Sequence, residues 1–443
     1  MQANKIILSL VSVALLGGAL QATDWLYGAG TEPSMVKVHG KKVVNHNNTP
    51  HFWGFIQVGY QQNYGDIVMK AGANKTPFSM LTPDLNSQSG FEVNRARLAV
   101  RGMIDKDNTL DYFFMTEFGE DGITQPAGNK TGNYLTDASI TYRGIPHLNV
   151  RFGQFKYPGS EEGLRAVFAS EYRNFTKVTD ELMLERFLPR NAIKTGTDTY
   201  TANPAGPTYS VGAFRDRGVE LFDTEHISKK VSVTVAGMAG NGTGLSSSNS
   251  SGDLTYYGYL ASEYSLGGGK GYYTQAVKAF AWYQKGKRQL NNTKYDRTRY
   301  GVGVDYFHSG LRLDAEYIAA KGMIFNGAKD QGTDSYSDNW QYQILAGNQN
   351  KSDGYYLNAQ YYVIPKKVEL LARYDYLDRL SNNAALEREF TTTTVGLSYH
   401  IKGPNRIDLN YAFRDAKAPG NTGAQKVLDH MGNLLSIQGT IKF

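Results

Sequence analysis

The 443-residue sequence contains no cysteine. That leaves no residue for a disulfide scaffold or a lipid-modified cysteine anchor, and it suits an exported chain that folds without oxidation. Beyond residue 22, no apolar run approaches the ~18 residues that a membrane-crossing helix needs. A dominant charge is missing too: 47 Lys and Arg stand against 41 Asp and Glu, a formal balance of +6. With no Lys/Arg run and no zinc-finger spacing beside that small excess, a nucleic-acid partner is not expected. Catalytic and cofactor motifs are equally scarce. The eight histidines are scattered, with no HExxH and no two-histidine spacing of metal-ligand type. Gly240 to Gly244 (GNGTG) and Gly267 to Gly271 (GGGKG) lack the following helix and Ser/Thr of a phosphate loop. Asp330, Asp334 and Asp338 in one long loop offer oxygens of the kind calcium takes, but an ordinary solvated acidic loop is the preferred reading. The sequence therefore predicts no catalytic residue, no bound metal and no cofactor.

Aromatics, glycine and alternation are what the chain has in quantity. The 31 Tyr and 20 Phe suit aromatic girdles at two bilayer interfaces, and the 48 Gly suit turns and close strand approach. The last ten residues, Leu434 to Phe443, put Leu435, Ile437, Ile441 and Phe443 on one parity with Gly439. Ser436, Gln438, Thr440 and Lys442 take the other, a period of two carried to the last residue. Sixteen strand-like stretches run from 52–62 to 434–443. The connections between them alternate in length. Tight Gly/Pro/Asn/Asp turns at 105–108, 144–147, 308–310, 364–366 and 402–404 separate long polar stretches at 63–90, 120–133, 157–216, 240–253, 285–298, 321–352, 377–388 and 415–433. Long, short, long, short is the rhythm of a transmembrane antiparallel β-barrel, and an even strand number returns both ends to one side.

The amino terminus fits export. Lys5 is the only charge in the first 22 residues, and Ile6 to Leu16 are apolar before Gly17-Gly18 and Leu20-Gln21-Ala22. Residues 1–22 read as a signal peptide, 23–50 as a polar periplasmic extension and 51–443 as the barrel. An alternating last strand with Ile437, Gly439, Ile441 and Phe443 resembles the closing strand of bacterial outer-membrane barrels, which the barrel-assembly machinery recognises.

Energetics assigns the two faces. An Arg on the lipid face near mid-bilayer costs ~2–4 kcal/mol. Arg95, Arg97 and Arg101 share a parity, opposite Ala96, Leu98, Val100 and Ile104. Three lipid-facing arginines would cost on the order of 6–12 kcal/mol, as much as a domain's whole stability, so the row is expected to face the lumen. The same argument turns Glu117, Asp137, Arg151, Asp305, Arg312, Glu316, Glu369, Arg373 and Asp408 inward. About sixteen strands around such residues enclose water, where about eight would fill with side chains.

Several segments in order narrow the family: Phe91 to Gly102 (FEVNRARLAVRG), Asp137-Ala138, Val150 to Pro158 (VRFGQFKYP), Leu184-Glu185-Arg186, Arg217 to Phe222 (RGVELF) and Ala236 to Gly242 (AGMAGNG). The chain resembles the phosphate-selective porin O and P family over most of its length. The GQFKxP piece and the Arg-x-Arg strand are the most specific part. The resemblance implies a sixteen-stranded, usually trimeric pore in the outer membrane of a Gram-negative bacterium. It implies passage of small anions such as phosphate, and a third loop, here 157–216, folded into the lumen.

The residues expected to line the anion path are Arg95, Arg97, Arg101 and Arg151 on strands, Lys156 at the root of the third loop, and Arg173, Arg186 and Arg190 within it. From Lys156 to Arg217 acidic residues nearly balance basic ones, so a general diffusion porin of mild ion preference remains an alternative. A structural or adhesive surface protein is another.

Overall fold

The computed structural model describes residues 50–65, 68–71, 74–77, 89–104, 109–119, 134–184, 214–245, 252–269, 274–290, 293–328, 342–429 and 431–443. In chain order the strands are β1 (His51–Asn63), β2 (Val68–Ala71), β3 (Asn74–Pro77), β4 (Ser89–Met103), β5 (Leu110–Glu117), β6 (Tyr134–Ile145), β7 (Leu148–Lys156), β8 (Arg215–His226) and β9 (Val231–Gly240). They continue with β10 (Thr255–Ser265), β11 (Ala276–Leu290), β12 (Thr293–His308), β13 (Leu311–Ala328), β14 (Tyr342–Ile364), β15 (Val368–Arg379), β16 (Arg388–Lys402), β17 (Asn405–Lys417) and β18 (Leu434–Lys442). β2 and β3 form a separate small hairpin, and the other sixteen close into one antiparallel barrel in which each strand pairs with its neighbour in sequence.

Closure is made by β18 against β1, with Ile56 opposite Ile441 and Gly59 opposite Gln438. The ladder continues one residue past β18: the Phe443 N–H donates to Gly54 O at 3.0 Å, and the Gly54 N–H donates to Phe443 O at 2.9 Å. A Cβ at position 54 would stand 2.6 Å from Arg97 O and 2.9 Å from Phe443 Cζ, which explains a glycine there. Gly153, inside the GQFK piece, has φ +132° and lies where a Cβ would be 2.1 Å from Ala138 O. β6 and β7 thus pair closely only because that side chain is absent.

Alternation translates into faces as the energetics requires. Ile437, Ile441 and Phe443 are exposed on the outside, while Ser436, Gln438 and Thr440 are buried inside. Leu98 is half exposed on the outer face, and Arg95, Arg97 and Arg101 are all buried inside. Glu117, Asp137, Arg151, Arg312, Glu316, Glu369, Arg373 and Asp408 are buried with them, and Asp305 is partly buried.

One parity reset matters for the interior. Gln57 pairs with Arg95 and Val58 with Val93, so Asn94 is an extra residue, a β-bulge in β4. Asn94 and Arg95 are both buried side by side. On one side of the bulge Val93 and Phe91 face outward; on the other, Leu98 does.

The structure corrects two loop expectations. The stretch 285–298 is not a long loop: β11 runs to Leu290, β12 starts at Thr293, and these two residues pair. Within 321–352, β13 extends to Ala328 and β14 begins at Tyr342, with Ala328 opposite Tyr342. Lys285 to Leu290 and Thr293 to Thr298 are largely polar because strand ends beyond the bilayer meet water, where alternation with an apolar face is no longer demanded. The signal-peptide and extension assignments up to residue 49, the acidic triplet Asp330, Asp334 and Asp338, and Arg186 and Arg190 lie outside the described residues.

Candidate functional site

The interior is built from the inward rows. Beside the β4 arginines stand Trp53 and Phe55 of β1. Arg101 Cζ lies 5.6 Å from the Trp53 ring centroid, and Arg97 Cζ lies 5.6 Å from that of Phe55. Arg97 Nε meets Glu117 Oε2 at 2.5 Å, and Arg95 donates to Gln57 Oε1 at 2.8 Å. Arg151 is held in the wall by Glu220, 3.1 Å away, and by the Phe222 ring, whose centroid is 4.6 Å from its Cζ. These side chains form the wall as much as they face the water.

Lys156 ends β7 and has a different task. Its Nζ donates to the carbonyl oxygens of Leu164 at 3.1 Å and Arg165 at 2.8 Å. It thereby holds the end of a short helical turn, Glu161–Leu164, that starts the inner segment. The described part of that segment, 157–184, is buried almost throughout. Lys278 of β11 meets Glu161 at 2.6 Å, Asp314 of β13 meets Arg165 at 3.3 Å, and Arg373 of β15 meets Glu162 at 3.0 Å. Asn410 of β17 accepts from the Arg173 N–H at 3.1 Å, and Asp375 of β15 accepts from the Lys177 N–H at 2.8 Å. Glu92 of β4 pairs with the Arg173 guanidinium. β4 and β11 lie seven strands apart by the shorter way around the barrel, so a segment touching both reaches across the interior.

Tyr172 locks the crossing. Its hydroxyl donates to Ala372 O at 2.9 Å, and burial pushes its ionisation well above the usual tyrosine range, so it stays a donor. The Arg373 guanidinium lies 3.8 Å from the centroid of its ring.

Between residues 172–180 and the wall made by β4 and β15 to β18 lies an open space of about 830 Å³, its mouth included. Five cationic residues line it, Arg95, Arg173, Lys177, Arg373 and Arg414, against the carboxylates Asp180, Asp375 and Asp415. Of the residues anticipated from sequence, Arg95 and Arg173 border this space. Arg97, Arg101, Arg151 and Lys156 face inward but do not border it. Lys177, Arg373 and Arg414 were missing from the anticipated set. Arg373 and Arg414 sit on the polar parities of β15 and β17, so extending the lumen-facing rule from β4 to every strand finds both. Lys177 opens a short helical turn, Lys177–Thr179, where no strand parity exists to reveal it.

The model of the phosphate-selective porin O and P family matches residues 78–443. The chain belongs to that family. A search among curated proteins returns no match for the porin. Among solved structures it is similar to Salmonella typhi OmpF in complex with daunomycin. The identity is 13%, over 90% of this chain and 99% of that one, with a TM-score of 0.50. It is also similar to the outer-membrane channel DcaP of Acinetobacter baumannii, at 14% identity over 89% and 97% of the two chains and a TM-score of 0.48. The trimer form of the Vibrio cholerae outer-membrane protein OmpT gives 12% identity, 89% and 99% coverage and a TM-score of 0.49. At such identities the likeness concerns the fold. Family and fold together make the porin an outer-membrane channel for small solutes.

Proposed function

We propose that the porin carries small anions, phosphate-type oxyanions among them, by passive diffusion across the outer membrane of a Gram-negative cell. The observation that carries this reading is the lining of the open space, where five cations face three carboxylates beside the inner segment. Arginine suits the task because its planar, permanently charged fork matches oxyanion geometry, while lysine adds a compact charge. Conduction needs several moderate sites and no single deep one, and cations spread over β4, β15, β17 and the inner segment meet that need. Arg95, Arg173, Lys177, Arg373 and Arg414 are the residues assigned to the anion path. Arg97, Arg101 and Arg151, anticipated from sequence, tune it from the wall. Residues 1–22 are assigned to export, and three copies of the chain to the working assembly.

Single-channel recording under a KCl gradient tests the proposal. The reversal potential is expected to lie on the anion-selective side, and added phosphate is expected to reduce chloride current. A potential near zero without phosphate block would establish the general diffusion porin instead, a reading favoured by the carboxylates Asp180, Asp375 and Asp415 in the same lining. A folded barrel without any conductance would point to a structural or adhesive surface role.

A further inference from the structure

Three groups of metal-ligand type meet inside the barrel, on the side of the short turns at 365–367 and 403–404. They are Glu171 of the inner segment, Glu369 near the start of β15 and His400 near the end of β16. One ligand atom from each lies within 4.8 Å of the others, and all three residues are buried. None of them lines the open passage. His400 Nε2 is 2.9 Å from Glu369 Oε2, and the Tyr362 hydroxyl lies 3.4 Å from the same nitrogen. Gln360 donates its amide N–H to Glu171 Oε2 at 3.2 Å. A second observation points to a missing ligand. Gln360 is only 1% exposed, and its Oε1 is buried without a hydrogen-bond partner, an orphaned acceptor on a side chain already touching the group.

Two carboxylates stand against one imidazole, with Arg312 and Arg406 acting on the group from neighbouring strands. Arg406 on β17 directs donors to Phe168 O, Ser170 O and Asp408. One imidazole nitrogen with two carboxylates is the donor set of borderline first-row cations such as zinc, and a buried amide oxygen is a serviceable additional ligand. A carboxamide donating to a ligating carboxylate is also the usual outer support of such a site.

We propose that Glu171, Glu369 and His400 bind a divalent transition-metal cation of the zinc type, which ties the inner segment to the barrel wall. Glu171 directly precedes Tyr172 and Arg173, both of which line the passage. Loading this site therefore fixes two residues of the conducting path from outside it.

The probe is zinc chloride, added to the full chain folded in detergent after chelation with EDTA. Calorimetric titration is expected to find one tight zinc site per chain. His400→Gln and Glu369→Gln are each expected to weaken it at least ~10-fold, and Gln360→Leu about 10-fold. His147, Asp223 and Glu225 form another three-ligand group, more exposed and near a different turn. His147→Gln is expected to leave the tight site unchanged. Heat-modifiable gel migration identifies which variants have folded. Absence of zinc uptake by the folded wild-type chain overturns the proposal, as does tight uptake that survives His400→Gln and disappears with His147→Gln. In bilayers, zinc is expected to change the conductance of the wild type and not of folded His400→Gln, and equal responses would break the link to the passage. Neither readout depends on anion preference, so this site and the proposed anion path stand or fall separately.

Discussion

Arg373 makes three kinds of contact at once. It stacks on Tyr172, meets Glu162 at 3.0 Å and borders the open space beside the inner segment. Its charge is therefore a strut and, on the proposed anion path, part of the field that an entering ion would meet. At 4 Å and an effective dielectric of ~20, a unit-charge contact is worth about 4 kcal/mol before desolvation. If about 1.4 kcal/mol survives, local anion occupancy changes roughly tenfold. Arg373→Gln is thus expected to move the reversal potential toward neutrality. Asp375→Asn, on the same strand and in the same lining, should move it the other way, and shifts of one sign in both variants would contradict a field-based account. At this scale the sequence revealed which face each charge takes and little about its company. The parity of Arg95, Arg97 and Arg101 turns all three inward. The carboxylate that engages Arg97, Glu117, comes from the next strand, and the one that engages Arg151, Glu220, comes from 69 residues along the chain. Alternation encodes a side, and pairing depends on register, which no single strand contains.

The closing strand and the inner segment are the two elements on which the passage depends. Phe443 contributes a reciprocal backbone pair to Gly54 and places its ring where any side chain at 54 would stand. Deleting Phe443, or changing Gly54→Val, is expected to deplete the heat-modifiable folded band on a gel, and undiminished folded yield in both would mean that this corner is dispensable. The inner segment is held by a buried ion pair between Lys278 and Glu161. Removing one partner of such a pair costs about 3–5 kcal/mol, less where lumen water reaches the survivor. Lys278→Met is therefore expected to loosen the segment, read as larger or noisier single-channel currents. The strands were legible wherever one face meets lipid, because there polar and apolar residues must alternate. They ceased to be legible at Lys285 to Leu290 and Lys321 to Ala328, where β11 and β13 run on past that constraint. The short helical turns of segment 157–184, Glu161–Leu164 and Lys177–Thr179, carry no strand period and were not legible from alternation.

At the level of the whole molecule, the strand order places the turns at 227–230 and 403–404 on one side of the membrane and the connection at 380–387 on the other. The absence of native cysteine makes this easy to test. Lys229→Cys and Ser381→Cys both sit at exposed positions. A membrane-impermeant maleimide added to intact cells is expected to label Ser381→Cys and spare Lys229→Cys, and the reverse pattern would invert the barrel.

Every ladder but one in the barrel joins strands that follow each other in sequence; the exception brings residue 54 to residue 443. Hairpins of this kind form quickly from local contacts, while the final seam carries the loop-closure entropy of almost the entire chain. The folding barrier is accordingly concentrated in a single event, the pairing of β1 with β18. A chain that lacks β18 leaves β1 with a bare edge, competent to pair with a second such chain. The seam thus acts as a proofreading step, passed only by a polypeptide that carries both β1 and β18.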